Sequence, residues 1–389
     1  MNGSPPADAP HQPQYAEVSA SLGQLIRFFL WLGVVAFGGP VAHIGLMERE
    51  VVERRRWVTR EHFLDLIGVT NLLPGPNSTE MTMHVGYVQR GVRGVCVAGV
   101  GFIVPAAALT LAISWAYVEY GELPAVRDVL AGIYPVVLAL VGAALVKLAR
   151  QALDHPVTWA VAVTALAAAL LGIDELVVLA AGAVIGLAAF YRPTGGALLV
   201  LPLWLQGGTA RDPPTLGRLG LLFLRFGATI FGSGYLLVAY LDSVLVDQLG
   251  WLEPDQLIAT VAIGEITPGP LFSASTSVGY LVLGVPGALV ATVAMFLPAF
   301  VIAMVVGRFM PALERVAWAR PLLRGLVAAV VGVMAAVSIQ LGQRVITSWV
   351  AAVIGVVALV VVLRTRVSGL VLIPLGGVLG YLAGMAGWV

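Results

Sequence analysis

Charge is scarce in this chain. Only 11% of its 389 residues are Asp, Glu, Lys or Arg, against about one quarter in soluble domains. Hydrophobic residues make up 59% of it, and the mean hydropathy is +0.94. So little polar surface excludes a soluble globular class. Cysteine is nearly absent: the single Cys96 excludes an intramolecular disulfide, and in its apolar run it reads as a small packing residue. The five histidines, at 11, 43, 62, 84 and 155, show no grouping of histidines and acids of the kind a metal site wants, so no metal site is expected. No Walker A loop and no dinucleotide fingerprint occur, so an ATP-driven pump would need a partner for its ATPase, and no cofactor is expected. The net charge of +1 gives no basis for nucleic-acid binding. The first 20 residues lack the basic start, apolar middle and cleavage site of a signal peptide; with Pro5, Pro6, Pro10 and Pro13 they read as a disordered tail.

What the chain does have is long apolar runs. Residues 94–118, "GVCVAGVGFIVPAAALTLAISWAYV", carry no charge, and about 20 such residues cross a bilayer as a helix. A transmembrane barrel would alternate polar and apolar residues instead. The fold class is therefore an all-α polytopic membrane protein, with the lipid bilayer as its first partner.

The runs repeat. A shift of 194 positions carries Phe29 onto Phe223, Gly33 onto Gly227, Trp57 onto Trp251 and Pro74-Gly75-Pro76 onto Pro268-Gly269-Pro270. A shift of 193 continues the match from Tyr87 and Tyr280 to Gly132 and Gly325. The organisation read from this is a tail (1–20), a first repeat (21–192), a linker (193–214) and a second repeat (215–389). The linker's apolar patch reads as too short to span.

Matching loops carry opposite charge. Residues 48–60 hold Arg49, Arg54, Arg55, Arg56 and Arg60, while 242–255 hold Asp242, Asp247, Glu253 and Asp255 without a basic residue. The sign inverts again between the acidic 119–128 and the arginine-rich 308–324. Because Lys and Arg collect on the cytoplasmic side, the repeats are expected to be inverted in the membrane. About five crossings each satisfy this, over 22–47, 94–118, 126–149, 156–172 and 175–191, then 216–241, 287–307, 322–343, 345–363 and 368–388. Both termini then face outward, and the two Pro-Gly-Pro pieces, 61–89 and 255–284, go in and come back.

Proline ends a helix by removing an N–H and clashing with the turn before it. Each Pro-Gly-Pro is therefore expected at the tip of a re-entrant helical hairpin, with Asn77 as N-cap and Glu80 completing a capping box. Irregular backbone at membrane depth survives only inside protein or beside water. A helix N-terminus there offers N–H groups and the positive dipole end to an anion. Paired broken helices in inverted repeats are the usual plan of secondary transporters. Second breaks at Gly38-Gly39-Pro40 and Gly232-Ser233-Gly234 add to the same region.

The stretches "FGGPVAHIGLMERE", "LPGPNSTE", "FGSGYLL" and "TPGPLFSAS" resemble the chromate ion transporter family, and the resemblance covers nearly all of the chain beyond the tail. Ser233 and Ala239 depart from that family's pattern. The resemblance implies an inner-membrane carrier that exports chromate and so confers chromate resistance, with sulfate, an oxyanion of similar shape, as competitor.

A tetrahedral dianion needs donors. The candidates for substrate binding are Gly38, Gly39, Pro40, Pro74, Gly75, Pro76, Asn77, Ser78, Thr79, Arg225, Gly232, Ser233, Gly234, Pro268, Gly269, Pro270, Ser273 and Ser275, with Thr276 beside them. Arg27 and Arg225 lie within apolar segments, where a charge is costly and marks function; Arg225 lies deeper. Glu265, Glu80 and His43 are the candidates for ion coupling, with the proton as coupling ion and Glu265 preferred because it precedes the second tip by about a turn. A sulfate-like anion carrier, a channel of the same fold and a membrane-embedded enzyme are the alternatives. The sequence leaves a homodimer open.

Overall fold

The computed structural model describes residues 16–37, 39–70, 73–191, 213–230, 236–313, 318–365 and 367–388. They are helical throughout, with no strand among the described residues. The tail up to residue 15 and nearly all of the 193–214 linker lie outside them.

The first repeat comprises α1 (Leu22–Val35), α2 (Gly39–Met47, continued by a π-helical stretch Glu48–Arg54), α3 (Arg60–Thr70), α4 (Asn77–Tyr120), α5 (Pro124–Ala152), α6 (Pro156–Leu170) and α7 (Glu175–Phe190). The second repeats the series: α8 (Leu216–Thr229), α9 (Leu236–Tyr240, continued by Leu241–Gln248), α10 (Pro254–Ile266), α11 (Ala274–Leu313), α12 (Ala319–Val345), α13 (Trp349–Arg364) and α14 (Gly369–Met385). Local sequence sets the starts. Ser21 and Gln24 form a capping box, Thr215 and Ser348 cap their helices, and Pro124, Pro156 and Pro254 open theirs.

The first expected crossing, 22–47, does not cross. The Val18 amide donates to the Arg56 carbonyl at 3.0 Å, the Ala20 amide donates to Gln89, and the Arg55 guanidinium covers the Phe28 ring at 4.8 Å. The two ends of 18–56 therefore sit together, and the chain reverses direction between α1 and α2. Its mate 216–241 folds back as well: the Phe226 and Tyr240 rings lie 5.2 Å apart, where an unbroken helix would separate them by roughly 20 Å. Each repeat thus opens with two helical hairpins. With residues 17–20 beside Arg56 and Arg90, the described N-terminal end shares the arginine-rich face, so the expectation that both termini face the other side fails for this one. Trp388 stacks beside Trp349 at the opposite, acidic face.

The Pro-Gly-Pro hairpins form as expected. Gln89, at the end of the first return leg, donates to the Trp57 carbonyl at 2.6 Å, just before the ingoing α3. In the second, Thr260 and Ser277 hydroxyls meet across the legs at 3.3 Å. Each return leg then reverses into a long helix at a matched turn, Arg90-Gly91 in α4 and Leu283-Gly284 in α11. The positive φ of Gly91 (54°) and Gly284 (63°) is why glycine stands at both.

α4, α5, α11 and α12 contain stretches long and apolar enough to cross a membrane. Helices α6, α7, α13 and α14 have 15, 16, 16 and 17 residues, or about 22–26 Å, short of a hydrocarbon core of ~30 Å. The repeats interlock. The α6–α7 pair packs on α12 of the other repeat, and α13–α14 pack on α5. Glycines set both contacts: a Cβ at Gly132 would lie 2.0 Å from the Gly376 carbonyl, and one at Gly325 2.1 Å from that of Gly182. Small residues that bring backbones together are the usual way helices associate in lipid. Helices α4 and α11 pack together between the repeats, with Tyr87 against Gly307 and Gly99 against Phe300. The described chain stops at Tyr191 on the basic face, where Arg324 covers Phe190 and pairs with Asp154, and resumes at Pro213 on the acidic face.

Candidate functional site

Each hairpin tip meets the break in the other repeat. The Gly75 amide donates to the Ile230 carbonyl at 2.7 Å, and the Gly269 amide donates to the Ala36 carbonyl at 2.7 Å. Ile230 and Ala36 are the C-caps of α8 and α1, so each tip consumes a carbonyl that the broken helix leaves over. Both tip glycines face this contact, and their own amides are committed to it rather than to an anion. Pro74, Gly75 and Pro76, like Pro268, Gly269 and Pro270, are buried or nearly so. Gly38, Gly232, Ser233 and Gly234 lie outside the described residues, as does the side chain of Pro40; Gly39 has φ +76° with open space beside it.

The two tips differ in chemistry. Around the second, Thr110 from α4 places its hydroxyl 3.3 Å from both Thr267 and Ser273, the residues flanking Pro268-Gly269-Pro270. Ser114 donates to the Thr110 carbonyl, Thr276 pairs with Thr292 at 2.7 Å, and Ser275 is wholly buried with no partner for its hydroxyl. This is a nest of neutral donors without charge.

The first tip carries titratable groups. Asn77, Ser78, Thr79 and Glu80 are all buried. The expected capping box does not form, because Pro76 occupies the N-cap and Asn77 is already in the helix. Glu80 therefore sits one residue past the box position and turns its carboxyl to Gly75, where a Cβ would meet Oε1 at 2.5 Å. Glu80 and Thr79 are fully enclosed, and neither carboxylate oxygen nor the hydroxyl has a hydrogen-bond partner. Buried groups of this kind call for an ion, a water or a catalytic role. His43, also buried, stacks edge-on against Phe102 at 5.8 Å, and the Phe102 carbonyl faces Gly269. The Thr82 hydroxyl reaches the Met47 sulfur, so α2 runs beside the return leg with His43 near the level of Ser78.

Glu265, the preferred acid from sequence, is only half buried and faces the start of α14 at Gly369. Arg225 is half buried on α8 within the electrostatic reach of Tyr240, and Arg27 is exposed on α1. Neither lies at a tip. Sequence reading overlooked Thr110, hidden in a run that reads as uniformly apolar, and His84, which stands one turn beyond Glu80.

A cavity of about 590 Å³ opens on the acidic face between α5, α10 and the α12–α13 turn, lined by Tyr117, Tyr134, Glu253, Asp255, Arg127 and Arg344. Its cations are committed: Arg127 to Glu122, and Arg344 to buried Asp242 at 2.9 Å.

The chain was compared with known proteins. A family model described as Chromate transporter matches residues 23–187 and 217–381, one match per repeat. A probable chromate transport protein of Synechococcus elongatus is 30% identical over 87% of this chain and 89% of its own. Chromate transport proteins of Cupriavidus metallidurans (30% identical, 89% of each chain) and Pseudomonas aeruginosa (31%, covering 83% and 82%) are similar to it as well. No solved structure matches.

Proposed function

The chain belongs to the chromate transporter family, and from that premise we propose that it is a secondary carrier exporting chromate, or a close tetrahedral oxyanion, across the inner membrane. The reciprocal tip contacts, Gly75 to Ile230 and Gly269 to Ala36, are the observation that carries this reading. They couple two inverted halves at one central point, so a shift of either hairpin disturbs the other. That is the mechanical requirement for alternating access.

In this reading the arginine-rich face is cytoplasmic and draws the anion in. Hydroxyls of Thr110, Thr267, Ser273 and Ser275 surround it, with Asn77, Ser78 and Thr79 opposite. Neutral donors of this kind hold a dianion without trapping it. The coupling acid is Glu80 rather than Glu265, because Glu80 alone is enclosed at a tip with no counter-charge. Protonated, it removes the nearest like charge and admits the dianion; ionised on the acidic side, it expels it. Proton and dianion leave together as one net negative charge. An inside-negative potential favours that movement by about 2.3 kcal/mol per 100 mV.

Everted vesicles test this. They should accumulate chromate when energised, with sulfate competing. Glu80→Gln should bind and exchange chromate but lose net accumulation and its pH dependence, while Glu265→Gln should keep both. The reverse pattern would return the coupling role to Glu265.

A further inference from the structure

Three titratable side chains line up along the first Pro-Gly-Pro hairpin. His62 lies in the first turn of α3 at the arginine-rich face and is 8% exposed. His84 is midway along the return leg, 1% exposed, and its Nε2 has no hydrogen-bond partner. Glu80 is wholly enclosed beside the tip. Glu80 and His84 are four residues apart on one helix and so share a face, with Cβ atoms about 5–6 Å apart. The hairpin folds α3 against this leg, and the His84 and His62 imidazoles are near enough to interact electrostatically. We propose that His62, His84 and Glu80 form a proton path that opens on the arginine-rich face and ends at the tip.

Histidine suits the task because one ring nitrogen can take a proton while the other gives one up. A proton from water at the basic face binds one nitrogen of His62, and the proton on the other passes to His84. His84 in turn protonates the Glu80 carboxylate from its far nitrogen. Each imidazole ends neutral, and the net change is one proton moved from bulk water to Glu80. Asp65 lies within electrostatic reach of His62 and offsets part of what burial costs a charge at the entrance. From the neighbouring α2 the titratable group is His43; the buried Glu50 beyond it is tied to Arg54 and Arg55. The α11 side chains against this leg, Phe300 and those of the Ile302 and Val306 stretch, are apolar.

The path exists in one repeat. The position matching His62 is Gln256; those matching Glu80 are Ser273 or Ala274, and those matching His84 are Ser277 or Val278, on either side of the one-residue gap. None of these titrates in the working range. One half would carry the proton and the other supply the hydroxyl nest.

This inference rests on Glu80 as the coupling acid, and the experiment separates the two. In everted vesicles, initial net chromate uptake and chromate–chromate exchange are measured from pH 6 to 8 for wild type, Glu80→Gln, His84→Leu and His62→Gln. Exchange leaves the proton on Glu80 and needs no path. His84→Leu and His62→Gln are expected to slow net uptake at least tenfold, with a steeper dependence on bath acidity, and to keep exchange within about twofold. A merely structural histidine would lower both together. Should His84→Leu fail to insert, His62→Gln at the rim carries the same comparison. Net uptake within twofold of wild type in the histidine variants, with Glu80→Gln defective, would overturn the path and leave the acid standing. Wild-type behaviour of Glu80→Gln would remove the path's terminus and the coupling assignment with it.

Discussion

The amide of Gly269 donates to the carbonyl of Ala36 across the boundary between the repeats, at 2.7 Å. Both atoms belong to chain that has left helical geometry. Each satisfies a group the other's break leaves over, at a depth where no water would do so. The contact is tight: a Cβ on Gly269 would lie 2.7 Å from that of Ala106, and its φ is +94°.

Gly269→Ala should therefore abolish transport while the protein still reaches the membrane. The strain has two parts. Overlap with Ala106 is one, and the left-handed backbone, costing an L-residue roughly 1–2 kcal/mol, is the other. Gly269→Ala with Ala106→Gly should recover part of the rate, measured as initial chromate uptake. A double variant no better than the single would show that the overlap does not matter.

The described N-terminal end and the arginine loop share one face, and the C-terminal end lies on the other. In a Cys96→Ser background, cysteines at Glu17 and Arg55 should resist an impermeant thiol reagent in whole cells, and one at Thr347 should react. Reaction at Glu17 without reaction at Arg55 would contradict the fold-back of α1 and α2.

Asp242 is 1% exposed and holds Arg344 at the acidic-face cavity. Arg344→Gln strands that carboxylate; because Arg344 itself is 31% exposed, the loss is smaller than the about 3–5 kcal/mol of a fully buried pair. A marked drop in thermal stability in detergent is expected, largely restored by adding Asp242→Asn. Equal melting of Arg344→Gln and wild type would mean that the pair contributes nothing.

At the opposite face Asp154 is exposed, and its hydrogen bond with Arg324 holds its carboxyl below the ordinary value of 3.8. A lowered carboxylate pKa adds stability above its unfolded value and loses it as pH falls through the folded value. Asp154→Asn should thus matter slightly at pH 7, and the difference should shrink as pH falls below 3.8 through the folded value. Parallel unfolding curves across that range would rule this out.

Much of this was legible in the residues. The 194-residue shift located both tips, and the opposite charge of matched loops marked the basic and acidic faces. The fold-back of 22–54 was legible only as a break: Gly38-Gly39-Pro40 marked an interruption, but the evidence against crossing is a contact between Val18 and Arg56, far apart in sequence. The Asn77–Glu80 box failed because Pro76 already holds the N-cap conformation, one residue before the pattern expects it. His62 and His84 show no pairing in sequence, because only the hairpin brings them together. Thr110 carried a faint signal: the second repeat has Ala303 in its place.

The glycine contacts between α5 and α14, and between α12 and α7, have a consequence for assembly. Each half lends its last helix pair to the other and receives a pair in return. A single half, made alone, would present Gly132 or Gly325 on a bare groove with nothing of its own to fill it. If the chain were divided near residue 200 into two polypeptides, neither would be a finished unit. They would have to enter the membrane in opposite senses and find each other there, as obligate partners exchanging arms.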